Sequence, residues 1–113
     1  MKTNAESGRE GEQKAADYLK SLGWTILAQN YRFKRGEIDI IAKDNDVLVF
    51  VEVKYRKTNM FGFPEDFVDD NKVGMIRKTA MEFLIKENWE KDIRFDIISI
   101  TGALDLEHFE DAF

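Results

Sequence analysis

The chain's 113 residues amount to one domain, at a prior of roughly one per ~150 residues, with the 43% hydrophobic and 35% charged content of a globular protein. It has no cysteine, which excludes a disulfide framework and a thiolate zinc site. The polar start and the lack of a long apolar run give no signal peptide and no membrane partner, so the expected location is cytoplasmic.

The net charge of −5 runs against a phosphate-backbone partner, which usually meets a basic surface. The charge is uneven, however: residues 1–60 hold 11 basic and 9 acidic side chains, and residues 61–113 hold 6 and 13. The acidic balance therefore sits in the second half of the chain.

Ser7 and Glu10 have capping-box spacing, predicting a helix from Gly8 to Leu22 that Gly23 ends. Its apolar stripe is Ala15, Ala16, Leu19 and Leu22. Trp24 to Tyr31 reads as a strand, followed by two clearer ones, Glu37 to Lys43 and Val47 to Tyr55. Asp44-Asn45-Asp46 between these has hairpin-turn chemistry. Lys57 to Asn71 has no steady period and is expected to be a long loop. Lys72 to Trp89 is a second helix, capped by Asp69, Asp70 or Asn71, with Val73, Ile76, Ala80, Phe83 and Leu84 buried. Ile93 to Ile100 is a further strand, and the tail from Leu104 adds an edge strand or lies over the sheet. The order α-β-β-β-α-β implies a mixed sheet, because a helical crossover lets the last long strand run parallel to its neighbour.

Alternation along the strands places Glu37, Asp39 and Ile41 on one face and Ile38, Ile40 and Ala42 on the other. On the next strand Val47, Val49, Val51 and Val53 form an apolar face, while Leu48, Phe50, Glu52 and Lys54 form a face that ends in charge. With Asn45 and Asp46 as a two-residue loop, Asp44 opposes Val47. The register then sets Asp39 against Glu52, with Cβ atoms ~5 Å apart, and Glu37 against Lys54. Facing carboxylates destabilise a sheet unless something offsets them, and Mg²⁺ or Mn²⁺ suits such oxygen ligands. Lys54 would point at the same site, to handle the attacking water or offset transition-state charge. Glu12 lies on the helical stripe that should face the sheet, as a third ligand or as the holder of a ligated water. The bland alternative is a solvated sheet face with a Glu37–Lys54 ion pair, and for Glu12 an early-helix acid favoured by the macrodipole.

Glu52-Val53-Lys54, with Asp39 on the preceding strand, resembles the PD-(D/E)xK, or restriction-endonuclease-like, nuclease signature. Over nearly the whole chain the sequence also resembles the YraN family of small bacterial proteins. The matching pieces are Gly11-Glu12, Asn30-Tyr31-Arg32, Gly36-Glu37-Ile38-Asp39, Phe50 to Lys54 with Arg56, Phe95-Asp96 and Ala112-Phe113. The resemblance implies a single restriction-endonuclease-like domain over 1–113, similar to archaeal Holliday-junction resolvases. In such a site Asp39, Glu52 and the backbone carbonyl of Val53 hold the metal, Lys54 serves catalysis and Glu12 joins them. Ile38 stands where the signature has proline.

The expected activity is divalent-metal-dependent hydrolysis of phosphodiester bonds in DNA, branched or damaged DNA included. A two-fold homodimer would present two sites to a branched substrate. Arg32, Lys34, Arg35, Arg56 and Lys57 are candidates for holding the nucleic-acid backbone, or ordinary surface charges. Phe61, Phe63 and Phe67 would stack on bases, close a dimer interface, or fold the loop onto the core. Asp96 is expected to be structural, and His108 to lie on the surface. The rival functions are a non-catalytic nucleic-acid-binding module and a protein-interaction module docking through the acidic second half.

Overall fold

The computed structural model describes residues 4–56, 69–102 and 105–113. Helix α1 (Asn4–Ser21) precedes strands β1 (Thr25–Phe33), β2 (Gly36–Asp44) and β3 (Val47–Arg56). Helix α2 (Asp70–Lys86) then leads to β4 (Asp92–Thr101) and β5 (Leu106–Phe109). The five strands form one sheet in chain order, antiparallel throughout except that β3 and β4 run parallel. The expected α-β-β-β-α-β order holds, and the tail supplies the edge strand. It also lies back on the sheet, since Ala112 N–H donates to the Phe95 carbonyl and the Phe113 ring packs against Phe95.

Each helix covers one face of the sheet. Ala15, Ala16 and Leu19 of α1 bury against Ile40, Ala42, Val49, Val51, Ile98 and Ile100. Ile76, Ala80 and Phe83 of α2 bury against Ile38, Ile41, Leu48, Phe50 and Ile97. Because both faces are covered, β3 reads as an almost unbroken apolar run up to Glu52.

Several boundaries differ from the sequence expectation. α1 begins at Asn4, so Ser7 is inside the helix rather than its cap; the interior glycines Gly8 and Gly11 cost only about 1 kcal/mol each, too little to stop propagation. Its C-terminus is a Schellman motif, with Gly23 at φ 89° and Trp24 N–H donating to the Leu19 carbonyl. The chain leaves the helix there, which turns Leu22 out to solvent although it continues the apolar stripe. α2 is capped by Asp69, whose carboxylate accepts from Lys72 N–H. It stops at Lys86 rather than Trp89 through a second motif of the same kind, with Asn88 at φ 53°.

Candidate metal centre

The β2–β3 hairpin has the predicted register over five rungs, from Asp44 opposite Val47 to Ile40 opposite Val51. The next rung, Asp39 against Glu52, does not pair. Val53 N–H donates instead to Oδ2 of Asp39 at 2.8 Å, so a side chain takes the place of a ladder acceptor where the strands part. Face alternation breaks at the same point. Ile38 packs with Ile41 on the α2 side, while Ile40 and Ala42 pack on the α1 side. The grouping of Ile38 with Ile40 and Ala42 is therefore wrong, and simple parity does not carry through Asp39. The rungs Gln29–Ile40 and Tyr31–Ile38 flank Asn30, whose left-handed φ of 53° distorts the β1 side of this position.

Three carboxylates meet there. Glu12 of α1, with Glu37 and Asp39 of β2, brings oxygens within 4.8 Å of one another, and this is the one such acidic group among the described residues. α1 packs on β3 at Gly11, where an added Cβ would make an ordinary van der Waals contact with Tyr55 at 3.6 Å. The Asn30 amide, with its nitrogen turned to the two acids facing it, donates to Glu12 Oε2 at 3.1 Å and Glu37 Oε1 at 3.2 Å. Arg32 Nε donates to Glu37 Oε2 at 2.8 Å. Burial and then the neighbouring Glu52 push the Asp39 pKa up to about 7, with Glu12 and Glu37 adding to the repulsion. Burial likewise raises the Glu12 pKa, against the hydrogen bond from Asn30.

A second charged group adjoins this one. Glu52 is only 6% exposed, and its Oε1 lies 2.7 Å from Lys72 Nζ and 3.6 Å from Lys54 Nζ. The expected Glu37–Lys54 pair is absent: Glu37 turns to Arg32 and Asn30, and Lys54 turns to Glu52. Burial lowers the Lys54 pKa, and the Lys72 charge adds to that. Burial also opposes the Lys72 charge, but its contacts with Glu52 and Lys54 outweigh this and raise its pKa.

The sequence candidates thus fall into two adjoining sets. Asp39 and Glu12 converge with Glu37, which had been expected only to face Lys54. Glu52 and Lys54 converge with Lys72, which the sequence marks only as the start of the second helix. Three carboxylates, one of them driven towards protonation by burial and its acidic neighbours, are a hard oxygen donor set that suits Mg²⁺ or Mn²⁺. Asn30 and Lys72 were the residues missed. Their signals were the left-handed tolerance of Asn within a strand and a lysine directly behind the cap cluster Asp69-Asp70-Asn71.

Among the basic candidates, Arg32 is paired with Glu37, and Lys34 Nζ stands 5.3 Å over the Phe33 ring. Lys34 and Arg35 form the β1–β2 turn, at the same end of the sheet as the acids. The Arg56 backbone makes the last rung of β3 with Thr101. Lys57, Phe61, Phe63 and Phe67 lie outside the described residues.

His108 is not a surface residue: its side chain is 7% exposed. Its Nε2 lies 2.8 Å from Asp96 Oδ2, and its Nδ1 lies 3.1 Å from the Tyr18 hydroxyl. Asp96 is fully buried and also accepts two bonds from Arg94 and one from Asp111 N–H, a structural knot on β4.

Residues 11–100 match the model of a family described as Uncharacterised protein family UPF0102. A UPF0102 protein of Cytophaga hutchinsonii is 46% identical over 97 residues, covering 86% of each chain. One from Persephonella marina is 46% identical over 107 residues, 94% of this chain and 91% of the relative. A third, from a Sulfurihydrogenibium species, is 45% identical over 109 residues, 96% of this chain and 94% of the relative. With a family model spanning most of its length and relatives this similar end to end, the chain belongs to the UPF0102, or YraN, family.

Proposed function

We propose that this protein is a Mg²⁺- or Mn²⁺-dependent endonuclease that hydrolyses phosphodiester bonds in DNA in the cytoplasm. The observation that carries the proposal is the convergence of Glu12, Glu37 and Asp39 beside the Glu52–Lys54 pair, at the point where β2 and β3 part. Carboxylates so placed repel one another unless a cation is shared. Asp39, Glu12 and Glu37 would hold the ion, with Glu52, paired with Lys72, and the Val53 carbonyl as the adjoining candidates. The chemistry such an ion would supply when bound is Lewis-acid activation of a phosphoryl oxygen and of the attacking water. Lys54, half-buried next to Glu52, would orient the attacking water or offset charge on the phosphate.

The distribution of charge along the sheet supports a polyanionic substrate despite the net charge of −5. Lys34, Arg35, Lys54, Arg56 and Lys72 belong to the end that carries the site. Asp44, Asp46 and Asp92 belong to the opposite end, together with Lys43 and Lys91, where the β2–β3 turn meets the start of β4. With a cation shared among the acids of the site, the basic groups beside them would attract a phosphate backbone to that end. A branched duplex would be presented with two sites by a two-fold dimer.

Calorimetry with Mn²⁺ on the wild type and on Asp39→Asn tests the metal site, and incubation with linear, nicked and four-way DNA and with RNA tests turnover. Binding that Asp39→Asn abolishes, with Mn²⁺-dependent cleavage of a DNA substrate, is expected. Absence of Mn²⁺ binding by the wild type overturns the proposal. Metal-independent DNA binding without cleavage would instead favour a non-catalytic binding module.

A further inference from the structure

Asn30 sits in the middle of β1 with a backbone that strands do not adopt, at φ 53°. A position of that conformation ordinarily suits glycine best, and asparagine is among the few other residues that tolerate it. Glycine would satisfy the backbone here equally well, so the side chain calls for its own explanation. It is found in the hydrogen bonds: one amide nitrogen donates to Glu12 of α1 and to Glu37 of β2.

These two acids come from different elements, and nothing else described bridges them. Arg32 reaches Glu37 from the other side through Oε2, leaving Oε1 to Asn30. Glu12 Oε2 receives the same nitrogen. A neutral donor draws the two carboxylates together without competing as a charge, which a lysine or arginine at this position would do. The bridge also fixes the rotamers of both acids before any cation arrives, and such pre-set orientation governs how tightly ligands hold a metal.

We infer that Asn30 is a positioning residue that holds Glu12 and Glu37 in the geometry in which, with Asp39, they take a divalent cation. This rests on the metal-site proposal above. In this role Asn30 acts through the two glutamates, its contacts in the fold, and not as a ligand.

The test is Mn²⁺ calorimetry on the full chain carrying Asn30→Gly, Glu12→Gln, and both together. Glycine adopts φ 53° freely, so this substitution deletes the amide and leaves the backbone unstrained. The expected result for Asn30→Gly is roughly 10–100-fold weaker Mn²⁺ binding, the range found when groups supporting metal ligands are removed. The two substitutions should also be non-additive, because the amide has less to hold once Glu12 is neutral. Mn²⁺ affinity unchanged in Asn30→Gly, while the wild type binds and Asp39→Asn does not, overturns the role of Asn30 and leaves the metal site standing. No binding by the wild type itself removes the metal site instead. If circular dichroism shows Asn30→Gly unfolded, the residue serves the fold, and the positioning role is overturned as well.

Discussion

Lys72 Nζ lies 2.7 Å from Glu52 Oε1, so the most buried acid of the site is neutralised from helix α2 and not from its own strand. Lys54, two residues along β3, is nearly an ångström farther away at 3.6 Å. Asp69 makes this possible by capping α2 through Lys72 N–H, which places the lysine in the first turn, at the edge of the site.

Removing Lys72 leaves Glu52 buried with only the longer contact. Lys72→Met is expected to destabilise the fold by about 1–2 kcal/mol, less than for a fully buried pair because the lysine side chain is 40% exposed. Adding Glu52→Gln to it should recover part of the loss. Urea denaturation of the two single variants and the double variant gives the coupling directly.

Asp39 sets a pH dependence of known sign. Its pKa is pushed up to about 7 in the fold, from an ordinary carboxylate value when unfolded, so the native state binds the extra proton. The associated stability is fully present below about pH 4 and is lost as pH rises through about 7. In metal-free buffer, Asp39→Asn should match the wild type near pH 4 and be more stable by about 1–3 kcal/mol at pH 8. Saturating Mn²⁺ at pH 8 should raise the melting temperature of the wild type and leave that of the variant where it is.

Gly36 opens β2 directly against α2. A Cβ built on it would overlap Thr79 Oγ1 and lie 3.0 Å from the Met75 carbonyl oxygen. Thr79 is itself fixed by donating to that carbonyl, so the neighbour cannot move aside cheaply. Gly36→Ala is expected to cost about 2–3 kcal/mol, with partial recovery in the Gly36→Ala/Thr79→Ala double variant. Thermal melts of the two single variants and the double variant check both.

Asp96 runs the opposite way to Asp39. Burial alone would raise its pKa, but the hydrogen bonds from His108, Arg94 and Asp111 N–H outweigh burial and lower it. Its stabilisation is therefore present above the ordinary carboxylate pKa and is lost as pH falls through the lowered one. Asp96→Asn should destabilise by about 2–4 kcal/mol at pH 7, since it leaves Arg94 without its buried partner. The gap between variant and wild type should close towards pH 2, which urea titrations at the two pH values would show.

The sequence by itself determined the elements and their order. Helical spacing marked Ala15, Ala16 and Leu19, and the valines of β3 marked a buried strand. Asn45 and Asp46 set a register that holds for five rungs. These are local properties: period, turn chemistry and residue type act within a few positions of the chain. That Asp39, Glu52 and Lys54 are neighbours was legible for the same reason, because they lie within one hairpin, although the structure divides them between two adjoining sets.

Only the tertiary structure decided which acids meet. Parity fails at Asp39 because its side chain captures Val53 N–H and because Asn30, on the neighbouring strand, is left-handed. Neither event leaves a mark in the periodicity of β2. Glu37 joins Glu12 instead of Lys54, and Glu52 is claimed by Lys72, through contacts between residues as many as 25 positions apart. His108 was misplaced for the same reason, since only the pairing of β5 with β4 carries it to Asp96. Such choices depend on how helices dock on a sheet, which is settled by packing across the whole core rather than by any one segment of the chain.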